Sequence, residues 1–474
     1  MHKTDYKVDL CVIGAGAAGL SVAAGAAQLG LSVVLFEQGD MGGDCLNTGC
    51  VPSKSLIATA NAVHAMAHNS ALGLTNSQPT IDWDKVRRHI TGVIDTIAPI
   101  DSQARFESLG CTVVRERAVF SGPKKVESAS TRVRARRYVI ATGARAFVPD
   151  IAGLDKVPYL TNDTIFAQKS LPKSLIILGG GFIGVELGQA FARLGCTVTL
   201  IEGANLLGNQ DPEAVALVRE SLVRDRVTLL EGKKAVAVSG HSSAVTVTLE
   251  DNVRVSGERL LVAVGRAPRV EAMGLELAGV DYNKKGIVTD DRLRSVSNRR
   301  VWALGDVAGK EQLTHAAGFH AGVFVRNALF GAPAHASVAY MPAVAYCDPE
   351  LAQIGLTEQA AQAKFGDAIT IARASFEDND RAQTQHATTG FCKLIIGKGG
   401  ALLGATIVGE GAGEAIQLVG LAIANKLKVR ALTSLIAPYP TRSEIVKRAA
   451  GAYFTPTLFS PKTQKLVQFL SRWR

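Results

Sequence analysis

The order of apolar and polar positions near the start of the chain predicts a strand, a helix and a second strand. Residues 10–14 (LCVIG) and 32–37 (SVVLFE) are apolar runs typical of buried strands, and residues 17–30 (AAGLSVAAGAAQLG) have a helical pattern. No charged residue occurs between Leu10 and Phe36, so hydropathy alone would favour a membrane span. The five glycines in this stretch and its change of period instead indicate a βαβ unit.

The same pattern recurs at an offset of 165 residues, where residues 175–202 read LIILGGGFIGVELGQAFARLGCTVTLIE. The positions that match are Gly14/Gly179, Gly16/Gly181, Gly19/Gly184, Gly30/Gly195 and Glu37/Glu202. The second copy carries Glu186 and Arg193 inside its helix, which a bilayer span would not tolerate. The shared template is therefore a βαβ unit that folds in water.

Each copy has the GxGxxG spacing of a dinucleotide-binding turn, with a glutamate 18 residues after the third glycine. The first glycine allows the tight turn, the second lets a pyrophosphate approach the backbone, and the third packs the helix on the strand. The helix N-terminus adds positive potential for the phosphates. Glu37 and Glu202 are placed to accept hydrogen bonds from a ribose diol. Two such sites predict FAD as a prosthetic group and an exchanging nicotinamide nucleotide, and a turn that serves packing alone is the disfavoured alternative.

The second site is predicted to prefer NADH over NADPH. The carboxylate of Glu202 repels a 2′-phosphate. No Arg or Lys occurs between Glu202 and Arg219 to receive one.

Composition indicates a globular chain of about three domains. The 474 residues are 47% apolar and 20% charged, and 52 basic against 42 acidic residues leave a net charge of +10. This balance favours anionic partners such as dinucleotides. A nucleic-acid partner is not expected, because the alternating arginines at 132–137 lack interleaved aromatic residues. An odd number of cysteines and a polar N-terminus that runs straight into a strand predict a cytoplasmic protein.

Cys45 and Cys50 are the only cysteines that lie close together in the sequence, in GGDCLNTGCVPSK at 42–54. In a regular helix their Cα atoms would be about 8 Å apart, beyond the ~7 Å limit for a disulfide. A bridge therefore needs a distorted turn, which residues 47–49 (Asn-Thr-Gly) tolerate, and such a bridge is oxidising and labile. The alternatives, two buried free thiols or half of a zinc site, do not explain the position beside a dinucleotide fingerprint. No metal site is predicted.

These motifs resemble those of the pyridine nucleotide-disulfide oxidoreductases, the flavoprotein family that contains dihydrolipoyl dehydrogenase, glutathione reductase and mercuric reductase. The resemblance includes AVGRAP at 263–268, ALGDV at 303–307 and an ATG turn. It implies an α/β fold with two Rossmann-like dinucleotide-binding domains, for FAD and NAD, and a C-terminal α+β dimerisation domain. The implied domains are a split FAD domain at 1–150 and 269–340, an NAD(P) domain at 151–268 and the interface domain of a homodimer at 341–474.

The resemblance also implies residue roles. Electrons would pass from NADH through FAD to the Cys45–Cys50 disulfide and then to a small-molecule disulfide or another small oxidised acceptor. Cys50 would lie against the flavin as the charge-transfer thiolate, and Cys45 would attack the substrate. Lys54 and Glu186 would pair near the flavin and the nicotinamide. Further cofactor contacts are implied for Ala141, Thr142 and Gly143 of the ATG turn, Asp306 on the ribityl chain, and Gly265.

One motif departs from the family pattern. The family commonly has His-Pro-Thr-x-x-Glu near its C-terminus, where the His is an acid/base and the Glu orients it. Here the segment reads PYPTRSE at 438–444, so Tyr439 replaces the His and Glu444 keeps the place of the orienting residue. A phenol with an ordinary pKa of ~10 is a poor base at pH 7, where an imidazole at ~6.5 is a good one. Ordinary dihydrolipoamide turnover is therefore expected to be slow.

Two further functions stay open beside the reduction of a disulfide or small acceptor. Mercuric reductases resemble the chain in having Tyr at that position, but they usually carry another vicinal cysteine pair near the C-terminus, whereas the last cysteine here is Cys392. A flavin-bearing redox sensor without substantial turnover is the second alternative.

His315, in LTHAAG, is a candidate replacement base, although a packed structural residue is the favoured interpretation. The acidic run at 377–381 (EDNDR) is expected to form a solvated loop.

The last residues predict a basic amphipathic helix. Ser460 and Pro461 have the character of an N-cap and a first helical residue. Apolar residues at helical spacing stand opposite basic ones, namely Leu466, Phe469, Leu470 and Trp473 against Lys462, Lys465, Arg472 and Arg474. Such a helix predicts a weak contact with an anionic membrane surface, and docking on the homodimer itself is the alternative.

Overall fold

The computed structural model describes residues 3–337 and 340–472. The described residues divide into two units. The first holds the residues up to Ala60 together with Thr80–Gly179 and Lys233–Ser337. The second holds Asn61–Pro79, Gly180–Gly232 and the described residues after Ser337. The finer division into three domains remains a prediction.

The described strands are β1 Thr4–Ile13, β2 Val33–Phe36, β3 Cys111–Val114, β4 Val119–Gly122, β5 Lys125–Glu127, β6 Thr131–Ile140, β7 Ala144–Ala146, β8 Ser174–Leu178, β9 Thr197–Glu202, β10 Thr228–Glu231, β11 Ala235–His241, β12 Ala244–Leu249, β13 Arg254–Gly257, β14 Arg259–Val262, β15 Arg266–Pro268, β16 Tyr282–Asn283, β17 Gly286–Ile287, β18 Val301–Ala303, β19 Ala343–Ala345, β20 Leu351–Gly355, β21 Thr370–Ser375, β22 Phe391–Gly397 and β23 Ala401–Val408.

The described helices are α1 Ala17–Gln28, α2 Gly43–Asn47, α3 Cys50–His68, α4 Trp83–Asp101, α5 Gln103–Ser108, α6 Asn162–Ile165, α7 Phe182–Arg193, α8 Pro212–Arg224, α9 Leu275–Ala278, α10 Thr314–Phe324, α11 Glu358–Phe365, α12 Asp380–Thr384, α13 Ala412–Ala424, α14 Val429–Thr433, α15 Glu444–Leu458 and α16 Pro461–Ser471.

The first unit is built on a mostly parallel sheet with the strand order β3-β2-β1-β6-β5-β4, and β18 also pairs with β6. In the parallel part, Val12 of β1 lies opposite Leu35 of β2 and Val139 of β6. These three side chains are fully buried. The apolar runs in the sequence therefore form strands that are covered on both faces, as is typical of parallel sheets. A parallel pair β8–β14 and an antiparallel sheet β11-β12-β13 belong to the same unit.

The second unit contains the parallel pair β9–β10 and an antiparallel sheet in the order β19-β20-β23-β22-β21. Helices α13 and α15 pack on that sheet. Its core includes the buried side chains of Leu394, Ile407, Ile416 and Val446. Helix α8 begins where the sequence favours it, because Asp211 caps the N–H of Glu213 and Pro212 follows in the first turn.

The predicted fold class is confirmed, since the βαβ repeats and a C-terminal α+β region are all present. The uncharged stretch at 10–36 folds into strands and a helix of 12 residues. Among the described residues, the helices are all too short or too polar to cross a bilayer.

The acidic run at 377–381 differs from the expected solvated loop. Its centre, Asn379, is fully buried. The Asn379 side chain accepts a hydrogen bond from the N–H of Ala382 and donates one to the carbonyl oxygen of Thr441. The run thus starts α12 and links it to the segment before α15, because an asparagine can act as a helix N-cap and a cross-link at once.

The C-terminal helix α16 begins at Pro461 as predicted, with Ser460 as its N-cap. The side chains of Leu466, Phe469 and Leu470 are each more than half exposed. Trp473 and Arg474, which belong to the same predicted pattern, lie outside the described residues.

Candidate active site

The turn after β1 has the geometry that a dinucleotide site requires. Gly14 has a φ of +104°, and a Cβ at this position would collide with the carbonyl oxygen of Ala141. A Cβ at Gly19 would collide with the carbonyl oxygen of Gly14, so the helix can approach the strand only without side chains here. Gly16 is the N-cap of α1, and because it has no side chain it cannot bond to the N–H groups of the first turn. The first turn of α1 is thus suited to an anion.

The turn after β8 repeats these features. Gly179 has a φ of +107°, and its Cβ would collide with the carbonyl oxygen of Ala263. Gly181 is the N-cap of α7, and a Cβ there would meet no described atom within 4 Å. Gly184 is buried in the first turn of α7. The described residues therefore fit a second dinucleotide.

Two carboxylates close these turns in the same way, although the sequence shows only their spacing. Each stands at the end of a strand and accepts hydrogen bonds from two backbone N–H groups. The partners are Ala15 (2.7 Å) and Gly39 (2.7 Å) for Glu37, and Gly180 (2.6 Å) and Ala204 (2.8 Å) for Glu202. Each carboxylate is fixed against its turn in this way, while lone pairs remain available on its oxygens for ribose hydroxyls.

Asp306 and the ATG turn lie in the same unit as the first glycine turn. Nε of Arg266 is 3.4 Å from Oδ2 of Asp306, and another guanidinium nitrogen donates to Asp44. Burial raises the pKa of Asp306, and the charge of Arg266 opposes this effect. Gly143 and Gly265 have φ values of +68° and +142°. The sequence alone does not single out Arg266 and Asp44, although they lie within AVGRAP at 263–268 and GGDCLNTGCVPSK at 42–54.

The two cysteines of the CxxxxC motif face each other across a break in the helix. Helix α2 ends at Asn47 and α3 begins with Cys50, which confirms the predicted distorted turn. Sγ of Cys50 lies 3.3 Å from Oγ1 of Thr314, the first residue of α10. A hydrogen bond with Cys50, and then burial, raises the pKa of the Cys45 thiol. Cys45 therefore holds a proton more firmly than an ordinary thiol, and it shares that proton with the Cys50 sulfur.

Two histidines of α10 differ in their exposure to solvent. His315 is exposed at the second position of α10, so its interpretation as a packed residue is wrong. His320, further along α10, is fully buried, and its Nδ1 accepts a hydrogen bond of 3.1 Å from the N–H of Gly305. Burial lowers the pKa of His320 to about 4. His320 is thus a neutral residue that supports the segment next to Asp306.

Lys54 and Glu186 lie on different units. Lys54 is half-buried on α3, one turn after Cys50. Glu186 is buried on α7, and its Oε1 accepts a hydrogen bond of 2.9 Å from the N–H of Tyr346. Their pairing remains a prediction.

Tyr439 precedes α15 and is 71% exposed. Its phenol donates a hydrogen bond of 2.8 Å to Oδ2 of Asp380, and this bond raises the pKa of Tyr439. Oε1 of Glu444, the residue expected to orient position 439, lies 3.6 Å from Nε of Arg448. Asp380 was missed because the sequence shows it only as part of an acidic run.

An open groove of about 600 Å³ adjoins Asp380, the partner of Tyr439. Its lining includes Arg373, Glu377, Asp378, Asp380 and Arg448. Within the part of the chain that the structure describes, no cluster of three or more His, Cys, Asp or Glu is arranged to hold a metal ion.

Known proteins resemble nearly the whole chain. A mercuric reductase from Lysinibacillus sphaericus is 34% identical over 447 residues, which is 93% of this chain and 82% of the relative. A dihydrolipoyl dehydrogenase from Geobacillus stearothermophilus is 32% identical over 455 residues, or 94% of this chain and 96% of the relative.

Solved structures show the same likeness. LpdA from Mycobacterium tuberculosis superposes with a TM-score of 0.86 at 25% identity, over 94% of this chain and 99% of that one. The HOCl-induced flavoprotein disulfide reductase RclA from Escherichia coli superposes with a TM-score of 0.84 at 26% identity, over 94% and 99%.

The family profiles cover both parts of the chain. The pyridine nucleotide-disulphide oxidoreductase profile matches residues 8–321, and the profile of the dimerisation domain of that family matches residues 341–450. The implied C-terminal dimerisation domain is thereby confirmed, and a domain of this kind indicates a homodimer. The chain belongs to the pyridine nucleotide-disulphide oxidoreductases, a family of NAD(P)H-dependent flavoenzymes.

Proposed function

We propose that this enzyme passes two electrons from NADH, through FAD, to the Cys45–Cys50 pair and then to a small disulfide or another small oxidised acceptor. The observation that carries the proposal is the meeting of the two sulfurs beside Thr314, in the unit that also holds the first glycine turn. Bound FAD supplies two-electron chemistry between nicotinamide and sulfur. The first half-reaction balances as NADH, one proton and the disulfide giving NAD⁺ and two thiols. A second disulfide would then be reduced to two thiols as Cys45–Cys50 re-forms.

The two cysteines have different tasks in this proposal. Cys50 starts α3, and the positive potential of a helix N-terminus stabilises a thiolate there. The raised pKa of Cys45 keeps the shared proton on Cys45. This division supports Cys50 as the sulfur that faces the flavin. Cys45 is then left to attack the acceptor, and it must first lose its proton, because only a thiolate is a nucleophile. Lys54 and Glu186, as a pair near the flavin and nicotinamide, complete the proposed machinery.

The cellular compartment is also proposed. The protein works in the cytoplasm, where a reducing environment keeps its other cysteines as thiols. These cysteines, Cys11, Cys111, Cys196, Cys347 and Cys392, are unbridged and buried, which suits that compartment.

A second candidate function is the reduction of a soft metal ion held by thiolates. Relatives of this chain include mercuric reductases, and a solved neighbour is a Cu(II) complex of RclA. A metal held by thiolates needs no base to accept a thiol proton at each turnover. Tyr439 favours this candidate, because its single hydroxyl proton is donated to Asp380. The rate of steady-state NADH consumption with disulfides, Hg(II) or Cu(II) as the acceptor separates the two candidates. If none of these acceptors supports NADH consumption, a redox sensor is the remaining alternative.

The assignment of the sulfur that faces the flavin is tested by Cys50→Ser. NADH should produce a long-wavelength thiolate-to-flavin absorption band in the native enzyme, and this variant should abolish it, because a serine hydroxyl does not ionise near neutral pH. Absorption spectra during anaerobic titration with NADH measure the band. The matched variant Cys45→Ser keeps the Cys50 thiolate but cannot form the disulfide, so it should show the band with oxidised flavin before any NADH is added. A band that survives in Cys50→Ser would show that the assignment is wrong.

The nucleotide preference is tested by comparing kcat/KM for NADH and NADPH. We expect NADH to be favoured by roughly tenfold or more, because two like charges ~4 Å apart repel by about 1 to 4 kcal/mol in water or near a protein surface. Glu202→Gln should narrow the preference, since the amide oxygen can still accept a bond from the turn but carries no charge. A native preference for NADPH would contradict the proposal.

The role of position 439 is tested by Tyr439→His. Dihydrolipoamide-dependent reduction of NAD⁺ at neutral pH should be slow in the native enzyme and about 10²- to 10⁴-fold faster in the variant, the gain expected of a positioned general acid/base. Asp380 already bonds to the side chain at position 439, and Glu444 stands five residues further on at the start of α15, so both are candidates to orient the new imidazole. Tyr439→Phe, which offers no base, is the control and should show no gain. Fast native turnover, or no gain in a folded, FAD-loaded variant, would rule out this role.

We further propose that α16 makes a weak contact with an anionic membrane surface. Its apolar side chains at 466, 469 and 470 are each more than half exposed on the described protomer. Residues 460–474 contain four Lys or Arg and no Asp or Glu. Each basic residue near an anionic surface contributes about 1 kcal/mol of attraction.

This contact is tested by flotation with vesicles of phosphatidylglycerol and phosphatidylcholine. The full chain should float with them and lose most of that binding at high salt, whereas a chain truncated after Ser460 should not float. Vesicles of phosphatidylcholine alone are the control. Equal flotation of the two chains would exclude the membrane contact. If the truncated chain also forms a weaker homodimer, α16 docks on the homodimer instead.

A further inference from the structure

One buried face of α7 carries three polar side chains in a row. Glu186, Gln189 and Arg193 are spaced by three and four residues, which places them on the same side of a helix. The Glu186 and Gln189 residues are 4% and 3% exposed, and the Arg193 side chain is 3% exposed. Buried polar groups at this spacing need partners, because an unpaired one is costly.

These side chains hold the segment between β19 and β20 by its backbone. Glu186 accepts from the N–H of Tyr346 at 2.9 Å. Gln189 accepts from the N–H of Asp348 at 2.7 Å and donates to the carbonyl oxygen of the same residue at 2.8 Å. Both backbone groups of Asp348 are thereby fixed by one amide side chain.

Arg193 extends the same row of contacts. It donates to the carboxylate of Asp348 at 2.7 Å and to the carboxylate of Asp225, at the end of α8, at 2.8 Å. Burial would raise the pKa of Asp225, but a hydrogen bond with His64 and the charge of Arg193 outweigh it and keep the pKa below its usual value. Asp225 therefore stays ionised and gives Arg193 a fixed anchor.

We propose that Gln189 and Arg193 are positioning residues that set the orientation of the Glu186 carboxylate through the segment 346–348. The segment can move only if the hydrogen bonds between the Gln189 side-chain amide and the backbone of Asp348 break. The N–H of Tyr346 would then move away from the Glu186 carboxylate. This inference rests on the proposed function, in which Glu186 acts next to the nicotinamide and the flavin. The inference implies that the rate of flavin reduction by the nicotinamide depends on Gln189 and Arg193, although these side chains contact neither a cofactor nor the acceptor.

Gln189→Leu is the test variant, in the full FAD-loaded chain. The change removes the amide and with it a bond of 2.9 Å to Asp225, but Asp225 stays paired with Arg193 and His64. The carbonyl oxygen of Asp348 also keeps its bond from the Ser221 hydroxyl, so the unit should fold. Hydrogen exchange at the amides of Tyr346 and Asp348 should speed up. Reduction of the flavin by NADH in rapid mixing should slow by about ten- to a hundredfold, the penalty of a misplaced reacting group. Nucleotide affinity and reoxidation of the reduced enzyme by a chromogenic disulfide should stay unchanged.

Gln353→Leu is the matched control, because Gln353 is another buried glutamine of the same unit and bonds to Thr406. It should leave both the exchange and the flavin reduction rate unchanged. Arg193→Lys keeps the charge but loses the planar fork, and it should slow the same step.

An unchanged flavin reduction rate in Gln189→Leu, despite faster exchange at 346 and 348, would overturn the inference. Equal slowing in Gln353→Leu would overturn it as well, since the effect would then be general. Native enzyme whose flavin is not reduced by NADH would refute the proposed function itself, a result that the native trace alone reveals.

Discussion

A turn that admits a pyrophosphate must expose its backbone, and the rest of the cofactor architecture depends on this constraint. At Gly14 and Gly179 a side chain would collide with a neighbouring carbonyl group, so the turns cannot be stabilised by their own side chains. The stabilisation comes from the next strand instead. Glu37 and Glu202 each accept two N–H groups, and a hydrogen bond to a charged group contributes about 1.5 to 3 kcal/mol. The same carboxylate thus holds the turn and keeps lone pairs with which, in the proposed function, it would bind a ribose.

The cysteine pair depends on a second local constraint, which is the break between α2 and α3. A continuous helix would keep the two Cα atoms too far apart for a disulfide. Thr48 leaves the helical conformation, with φ −140° and ψ 5°, and its hydroxyl donates to Asp44 at 2.6 Å. A Cβ at Gly49 would lie 2.9 Å from the carbonyl oxygen of Asp44. The break therefore puts Cys50 at the start of a new helix, where a thiolate is stabilised.

Local chemistry could be predicted from the sequence, whereas contacts between distant segments could not. The βαβ repeats, the glycine turns, the helix break and the start of α16 all follow from patterns within about 30 residues. Asp380 and Arg266 escaped prediction because their partners, Tyr439 and Asp306, are 59 and 40 positions away. The same reason explains the error at His315, since its exposure depends on how α10 packs and not on its motif. Periodicity identifies a buried face, but it does not identify the group that the face meets.

Position 439 illustrates why a tyrosine cannot simply take over the role of the histidine in the family motif. An imidazole can accept a proton from a thiol while its other nitrogen donates to a carboxylate, so it stores a proton and stays oriented. The phenol of Tyr439 has a single proton, and that proton is already donated to Asp380. Its oxygen can accept a further hydrogen bond, but taking up a proton from a thiol would require passing its own to Asp380. A carboxylic acid is far more acidic than a thiol, so this transfer runs uphill by several pKa units. Asp380 therefore fixes Tyr439 as a polar contact and opposes its action as a base. If position 439 serves the acceptor as proposed, this arrangement favours acceptors that bind to thiolates directly.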